Sequence, residues 1–411
     1  MTTAVQSGHA SAGEIDSGYA WMRLTVALAL GTVGSVGMWS FVVLLPAVQA
    51  DFGIARGEAS LPFTLTMLGF GLGGIAMGQL ADRFGIVLPV VAGALVLGAG
   101  YGLSSLSGDI WMLALTQGLL GFGSAATFGP LMTDISHWFV RRRGIAVAIA
   151  SCGNYLSGVI WPPLIQHFIA SAGWRPTQAG IGVICVVVIV PLVMLMRQRP
   201  PPHHEAISSA SMPRMASLGI SPNALMVLLF IAGIACCVAM SMPQVHIVAY
   251  CGDLGYGGGP GAEMLSLMMG FGMVSRIGSG FVADRIGGIA TLLLGSLMQA
   301  VALFLYLLFD GLTPLYIISA LFGLFQGGIV PMYAIVVREY FPPRQAGTLV
   351  GLVIMATIAG MALGSWMSGA IFDLTGSYWQ AFANGLAWNL LNIAIALVLL
   401  RRARTRRSPA T

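Results

Sequence analysis

Arg276 is the one charged residue between Glu263 and Asp284, in a run where hydrocarbon is expected on all sides. A guanidinium there costs on the order of several kcal/mol unless it meets an anion or a water-filled cavity, and it does not lose its charge. Its planar fork fits a carboxylate. No Asp or Glu falls deep in any expected span, so the anion is expected to arrive as a ligand. His246 can titrate near neutral pH and hydrogen-bond a carboxylate, which makes it the candidate for proton coupling, against the alternative of a satisfied helix-end histidine near the outer mouth. Asn154 and Gln326 fall near mid-depth and either line a polar cavity or hydrogen-bond between helices. Tyr333 is a weaker cavity candidate, because aromatic side chains in spans more often pack.

Other constellations are excluded by their context. His203-His204-Glu205 has metal-ligand types but sits in a Pro-flanked loop without fixed geometry, so no metal site is expected. Gly69-Phe-Gly-Leu-Gly-Gly74 fits GxGxxG inside an apolar span with no preceding strand, which removes dinucleotide binding. Cys152, Cys185, Cys236, Cys237 and Cys251 lack CxxC spacing and read as small core residues. There is no HExxH, GxSxG or pair of intramembrane acids, so an enzyme is not expected. All 19 basic residues are Arg, which rules out a P-loop lysine and a Schiff base. No cofactor is expected, and a gradient or a separate subunit must supply energy for any transport.

These residues need elements that belong in a bilayer. With 57% hydrophobic and 8% charged residues among 411, and a mean hydropathy of +0.87, the chain has too little polar surface for a water-soluble globule. The net charge of +5 lies in loops and the tail, where it sets orientation rather than marking a nucleic-acid partner. Breaks at Gly, Pro and charge clusters predict twelve spans: 21–46, 58–80, 86–106, 110–134, 144–169, 176–196, 223–250, 262–283, 288–309, 314–337, 346–371 and 378–400. With a cytoplasmic N-terminus, sixteen arginines lie inside and only Arg56 and Arg175 outside, the bias expected of cytoplasmic loops. The first 20 residues lack the basic start of a cleaved signal peptide and read as a cytoplasmic segment. The organisation expected is a half over 21–196, a polar linker over 197–222, a half over 223–400 and a basic cytoplasmic tail over 401–411 that touches anionic lipid.

The two halves repeat. Gly78-Gln-Leu-Ala-Asp82-Arg83-Phe-Gly85 returns 202 positions later as Gly280-Phe-Val-Ala-Asp284-Arg285-Ile-Gly287, and at the same offset Gly121 meets Gly323, Phe139 meets Phe341 and Arg142 meets Arg344. A repeat of a whole half points to two symmetry-related bundles with a site between them near mid-membrane. Counting back eight residues from Asp284 puts Arg276 roughly 12 Å inside the boundary. The same count from Asp82 reaches Gly74, so the symmetry is broken at the arginine.

The paired ADR-G loops resemble the motif between spans 2 and 3 of the major facilitator superfamily and its fainter copy between spans 8 and 9. In that family the Asp joins a cytoplasmic charge network that holds one access state, and the glycines allow close packing; here these are Gly78, Asp82, Arg83, Gly85, Gly280, Asp284, Arg285 and Gly287. Asp16-Ser-Gly18-Tyr19-Ala-Trp21 resembles the [DE]G[GS][WY][GA]W motif of the monocarboxylate transporter family, with Ser17 in place of a Gly. Trp138-Phe-Val-Arg141-Arg-Arg143-Gly144-Ile-Ala146 is similar to that family's entry to span 5. The stretches Leu45-Pro46 to Gly53 and Val245-His246 to Gly255 add to the resemblance, the latter being typical of bacterial members.

The resemblance implies an all-α membrane protein of twelve helices in two pseudo-symmetric six-helix halves, the major facilitator fold. It implies a substrate carboxylate on Arg276 and alternating access. Two positions depart from the mammalian pattern: Gly272 stands where an Asp takes part in proton coupling, and the span 1 Lys is missing. The expectation is a secondary transporter of lactate- or pyruvate-like monocarboxylates, coupled to protons, acting as a monomer in a bacterial inner membrane with both termini cytoplasmic. The alternatives are an organic anion exchanger of the oxalate/formate type, an exporter of apolar drugs and a non-transporting sensor.

Overall fold

The computed structural model describes residues 15–198 and 218–405, so His203, His204, Glu205, Arg406 and Arg407 lie outside the described residues. All regular structure among them is helical. Twelve helices are long and apolar enough to cross a membrane. Spans 1 to 6 are Gly18–Phe52, Arg56–Phe84, Val87–Ser105, Ile110–Trp138, Arg143–Ala172 and Trp174–Met194. Spans 7 to 12 are Pro222–Asp253, Gly258–Ile286, Gly288–Leu308, Leu312–Tyr340, Gln345–Thr375 and Tyr378–Arg404. Among the described residues an even number of crossings puts Gly18 and Arg404 on one side, called here the terminal face; the other is the far face.

Several helices run past the apolar stretches that mark them in sequence, because caps rather than hydrophobicity set their ends. Span 1 starts at Gly18 rather than at residue 21, since the Ser17 hydroxyl accepts the Ala20 N–H at 3.3 Å. Asp109 accepts from the N–H groups of Trp111 and Met112 at 2.9 Å each and opens span 4. Spans 2 and 8 stop at Gly85 and Gly287, with φ of +82° and +85°, a conformation that costs a side-chain-bearing residue dearly. The last glycine of each ADR-G loop is therefore a helix terminator.

The repeat is visible in the packing itself. A Cβ on Gly121 of span 4 would run into the Thr66 carbonyl of span 2, and one on Gly323 of span 10 into the Met268 carbonyl of span 8. Both contacts, not only the glycines, are related by the offset of 202. Spans 4 and 10 also break at matching places, a 3-10 turn over Ala125–Thr127 and an interruption at Gly327-Gly328. Span 1 bends at Ser35, whereas span 7 is continuous at the matching Cys237. Span 7 is buried on every side from Ala235 to Ala249, as expected of a helix in the middle of a bundle. Large apolar side chains such as Leu72, Leu115, Ile184, Phe281 and Phe304 face outward, toward what must be lipid.

The halves meet mainly through span 5 on span 8 and span 2 on span 11. The contacts concentrate toward the far face: Gly158 faces Met269, Gly57 and Gly369 pack across spans 2 and 11, and the Thr64 hydroxyl donates to the Ala362 carbonyl at 3.0 Å. Toward the terminal face Gly74, Gly78, Gly278, Gly280, Gly347 and Gly351 have open space where a Cβ would stand. The bundle is closed at the far face and open at the terminal one.

Candidate substrate site and gates

Arg276 lies ten residues from the terminal-face end of span 8, half-buried, and its guanidinium carbon is 5.3 Å from the centroid of the Tyr155 ring. That distance suits a cation–π contact. Tyr155 comes from the other half, on span 5. Its hydroxyl donates to the Gly327 carbonyl at 3.3 Å, at the break in span 10, and its ring fills the space above Gly272, where an added Cβ would come within 2.7 Å of Cε1. Among the described residues Arg276 forms no ion pair. An aromatic face thus lies beside Arg276, at the level where the mammalian pattern has an acid.

Two of the other candidates are sequence neighbours of this junction. Asn154 precedes Tyr155 and accepts from the Trp39 indole N–H at 2.8 Å, within the first half. Gln326 precedes Gly327, is buried, and its side-chain Nε2 has no hydrogen-bond partner among the described residues. Tyr333 goes elsewhere: its hydroxyl donates among Ala232 and Asn392, at 2.9 Å each, on spans 7 and 12. A vestibule of about 1070 Å³ opens on the terminal face between Arg23, Gly74, Gly78, Asp134, Gly347 and neighbouring residues. Gly74 is the repeat partner of Arg276, so by symmetry the vestibule reaches the depth of the arginine.

One acid is nevertheless buried, near the terminal face rather than deep in a span. Asp134 lies at the end of span 4, is only 7% exposed, and holds Arg23 through two hydrogen bonds of 2.8 and 2.7 Å. Apolar periodicity ends span 4 at residue 134, but the helix continues a turn to Trp138, so Asp134 stands one turn inside the helix end. Arg23 also donates to the carbonyls of Met196 and Gln198 and lies over the Trp138 ring at 4.6 Å. This pair closes the first half on itself and leaves Arg276 untouched.

The far face is held by a residue that sequence reading treated as topology alone. Arg56, 7% exposed, pairs with Asp253 at 2.8 Å, donates to the Tyr378 hydroxyl at 2.6 Å and lies 4.5 Å over the Phe372 ring. The N–H groups of Arg56 and Gly57 donate to Asp373 at 2.7 and 2.6 Å, which caps the start of span 2 from the other half. Arg56 belongs to the first half and every one of these partners to the second. His246 joins the same cluster, with Nδ1 3.0 Å from the Tyr378 hydroxyl and Nε2 2.9 Å from the Ser365 carbonyl. The available signal was Arg56 itself, one of two arginines on the side that the charge bias leaves nearly bare.

At the terminal face Asp82, Arg83, Asp284 and Arg285 are exposed, and among the described residues none forms an ion pair. The N-terminal motif and the span 5 entry meet there: Tyr19 lies edge-on to Trp138 at 5.1 Å, Trp21 to Phe139 at 5.2 Å, and the Arg141 N–H donates to Asp16 at 3.1 Å.

Two six-helix halves, closed on one face and open on the other around an arginine at mid-depth, are the build of a membrane transporter that alternates access. The family model described as Major Facilitator Superfamily matches residues 27–314 and 279–411, and the chain belongs to that superfamily. It is 28% identical over 397 residues to monocarboxylate transporter 13 of Bos taurus, covering 93% of this chain and 90% of that one. It is also 26% identical to the MFS-type transporter pynF of Aspergillus niger, covering 80% and 76%. Among solved structures, a bacterial homologue of the human lysosomal transporter Spinster, inward-facing and unoccupied, matches with a TM-score of 0.72 at 16% identity, covering 96% of this chain and all of that one. The protein is a major facilitator transporter with a small-molecule substrate, not an enzyme.

Proposed function

We propose that this transporter carries small monocarboxylates of the lactate or pyruvate kind, coupled to protons, by rocking its halves about a central site. The observation that carries the reading is Arg276, a permanent charge half-buried near the middle of a membrane helix with no carboxylate from the described residues beside it. A bound carboxylate supplies the missing anion and accepts from the guanidinium fork. Gln326, with its unpartnered amide nitrogen, offers a second donor at the same level, and Asn154 sits across the interface. Tyr333 lies farther off and acts on this site through packing. The ADR-G charges, which form no ion pair among the described residues in the open arrangement, are read as the groups that pair when the terminal face closes. His246 provides the titratable group.

The arginine bias supports a cytoplasmic terminal face, the resemblance to bacterial members supports a bacterial inner membrane, and the repeat supports halves over 21–196 and 223–400 joined by a linker. A monomer contains the whole site. The test is uptake of labelled carboxylates into proteoliposomes with and without an inward proton gradient. Gradient-stimulated uptake that Arg276→Gln abolishes is expected; wild-type rates in that variant would remove the clamp.

Exchange of organic anions is the second reading, and Gly272 favours it. Without an acid near Arg276 to neutralise the empty carrier, the return step is eased by a second anion. Uptake that depends on internal counter-substrate and ignores the pH gradient would select it.

A further inference from the structure

The hydrogen bonds on the far face have a direction. The Ser365 carbonyl only accepts, so His246 Nε2, 2.9 Å away, carries a hydrogen. Arg56 only donates, so the Tyr378 oxygen accepts from it at 2.6 Å. His246 Nδ1 and the Tyr378 hydroxyl lie between these fixed ends, 3.0 Å apart. In a neutral imidazole Nδ1 is bare and takes the Tyr378 proton, and the run from Arg56 through Tyr378 and His246 to Ser365 is satisfied throughout. In an imidazolium both nitrogens donate. The Tyr378 oxygen would then face donors on two sides, neither of which could accept its own proton.

No charged group of the described residues pairs directly with the imidazole. Arg56 of span 2 lies one phenol oxygen away, and His246 itself is fully buried. Asp253 of span 7 is paired with Arg56, and Asp373 of span 11 accepts from the neutral N–H groups of Arg56 and Gly57, keeping its charge but touching neither ring nitrogen. The remaining titratable neighbours, Tyr250 of span 7 and Tyr378 of span 12, are phenols. A second buried cation beside Arg56 would have no carboxylate of the described residues within ion-pair reach.

We propose that His246 is a pH-responsive pin of the far-face gate: only the neutral imidazole completes the latch, so binding a proton there and sealing that face exclude one another. The proposal rests on the two-state alternation described above but not on the identity of the substrate. Opening favours protonation by the factor by which protonation favours opening. A single proton changes the open-to-closed ratio by at most about tenfold per pH unit. A co-transported proton therefore leaves His246 before the far face seals, and continues on the substrate or another group.

The test uses the full chain in proteoliposomes without any carboxylate, with spin labels on Gly108→Cys and Thr313→Cys, exposed far-face positions in opposite halves. The five native cysteines are buried. In wild type the longer inter-label distance should gain population as pH falls from about 8 to 5. His246→Gln, whose amide can donate to Ser365 and accept from Tyr378, should hold the short distance throughout. A wild-type distribution indifferent to pH, or an unchanged pH response in His246→Gln, overturns the proposal. If His246→Gln does not assemble, Tyr378→Phe should open the face at every pH and flatten the response; a wild-type pH curve in that variant overturns the proposal equally. Because no substrate is present, either failure leaves the Arg276 uptake test standing, and failure of that test leaves this one interpretable.

Discussion

At Gly272 a single methyl group decides whether span 8 can keep its neighbour. An alanine there would press on the Tyr155 ring at 2.7 Å, a stiff group that is held by its bond to the Gly327 carbonyl. Gly272→Ala should therefore cost about 1–3 kcal/mol and slow uptake, and a smaller residue at position 155 should recover part of the loss. Uptake measured across that double-mutant cycle should show coupling of about 0.5 kcal/mol or more; simple additivity would detach the two residues. Arg23 and Asp134 make a separate claim about stability. Asp134→Asn leaves a fully buried guanidinium without its charge partner, and about 3–5 kcal/mol of stability should go with it, read as a lower unfolding temperature in detergent. Replacing both with apolar residues of similar volume should restore most of it. Arg276 was legible in sequence because a charge in an apolar run is conspicuous. Tyr155 was not, since one aromatic among many carries no mark of the half it touches.

Helices repeat their contacts as well as their residues, and this gives a test at the level of packed pairs. Gly121→Ala and Gly323→Ala each push a methyl group into a backbone carbonyl of the partner helix, which cannot turn aside as a side chain does. Each should lower the unfolding temperature, by a comparable amount. Gly78→Leu and Gly280→Leu meet open space in this arrangement, so they should leave that temperature nearly unchanged while slowing transport by obstructing closure of the terminal face. A loss of stability as large as that of Gly121→Ala would show that these glycines already pack. The twelve spans, the offset of 202 and the terminating role of Gly85 and Gly287 follow from the apolar pattern and glycine chemistry. The bend at Ser35 and the turn over Ala125–Thr127 do not. Glycines flank Ser35 as they do many residues of unbroken spans, and Ala125–Thr127 contains no breaker at all, so both depend on the packing around them.

The whole molecule is asymmetric between its two faces. One is sealed by the buried charge of Arg56 and the directed hydrogen bonds around it; the other is lined with bare glycines and exposed ADR-G charges. Arg56→Gln should weaken the seal by roughly 2 kcal/mol, less than a fully buried pair would give because Asp253 is 36% exposed, and so raise far-face opening by about thirtyfold. The inter-label distance between positions 108 and 313 reads this directly, and an unchanged distribution would deny Arg56 its place in the seal. The open vestibule has one further consequence. At about 30 Å³ per molecule, a volume of about 1070 Å³ holds on the order of 35 waters, which must leave when the terminal face closes. The open arrangement is therefore sensitive to osmotic stress, and a polymer too large to enter the vestibule would favour closure by drawing that water out.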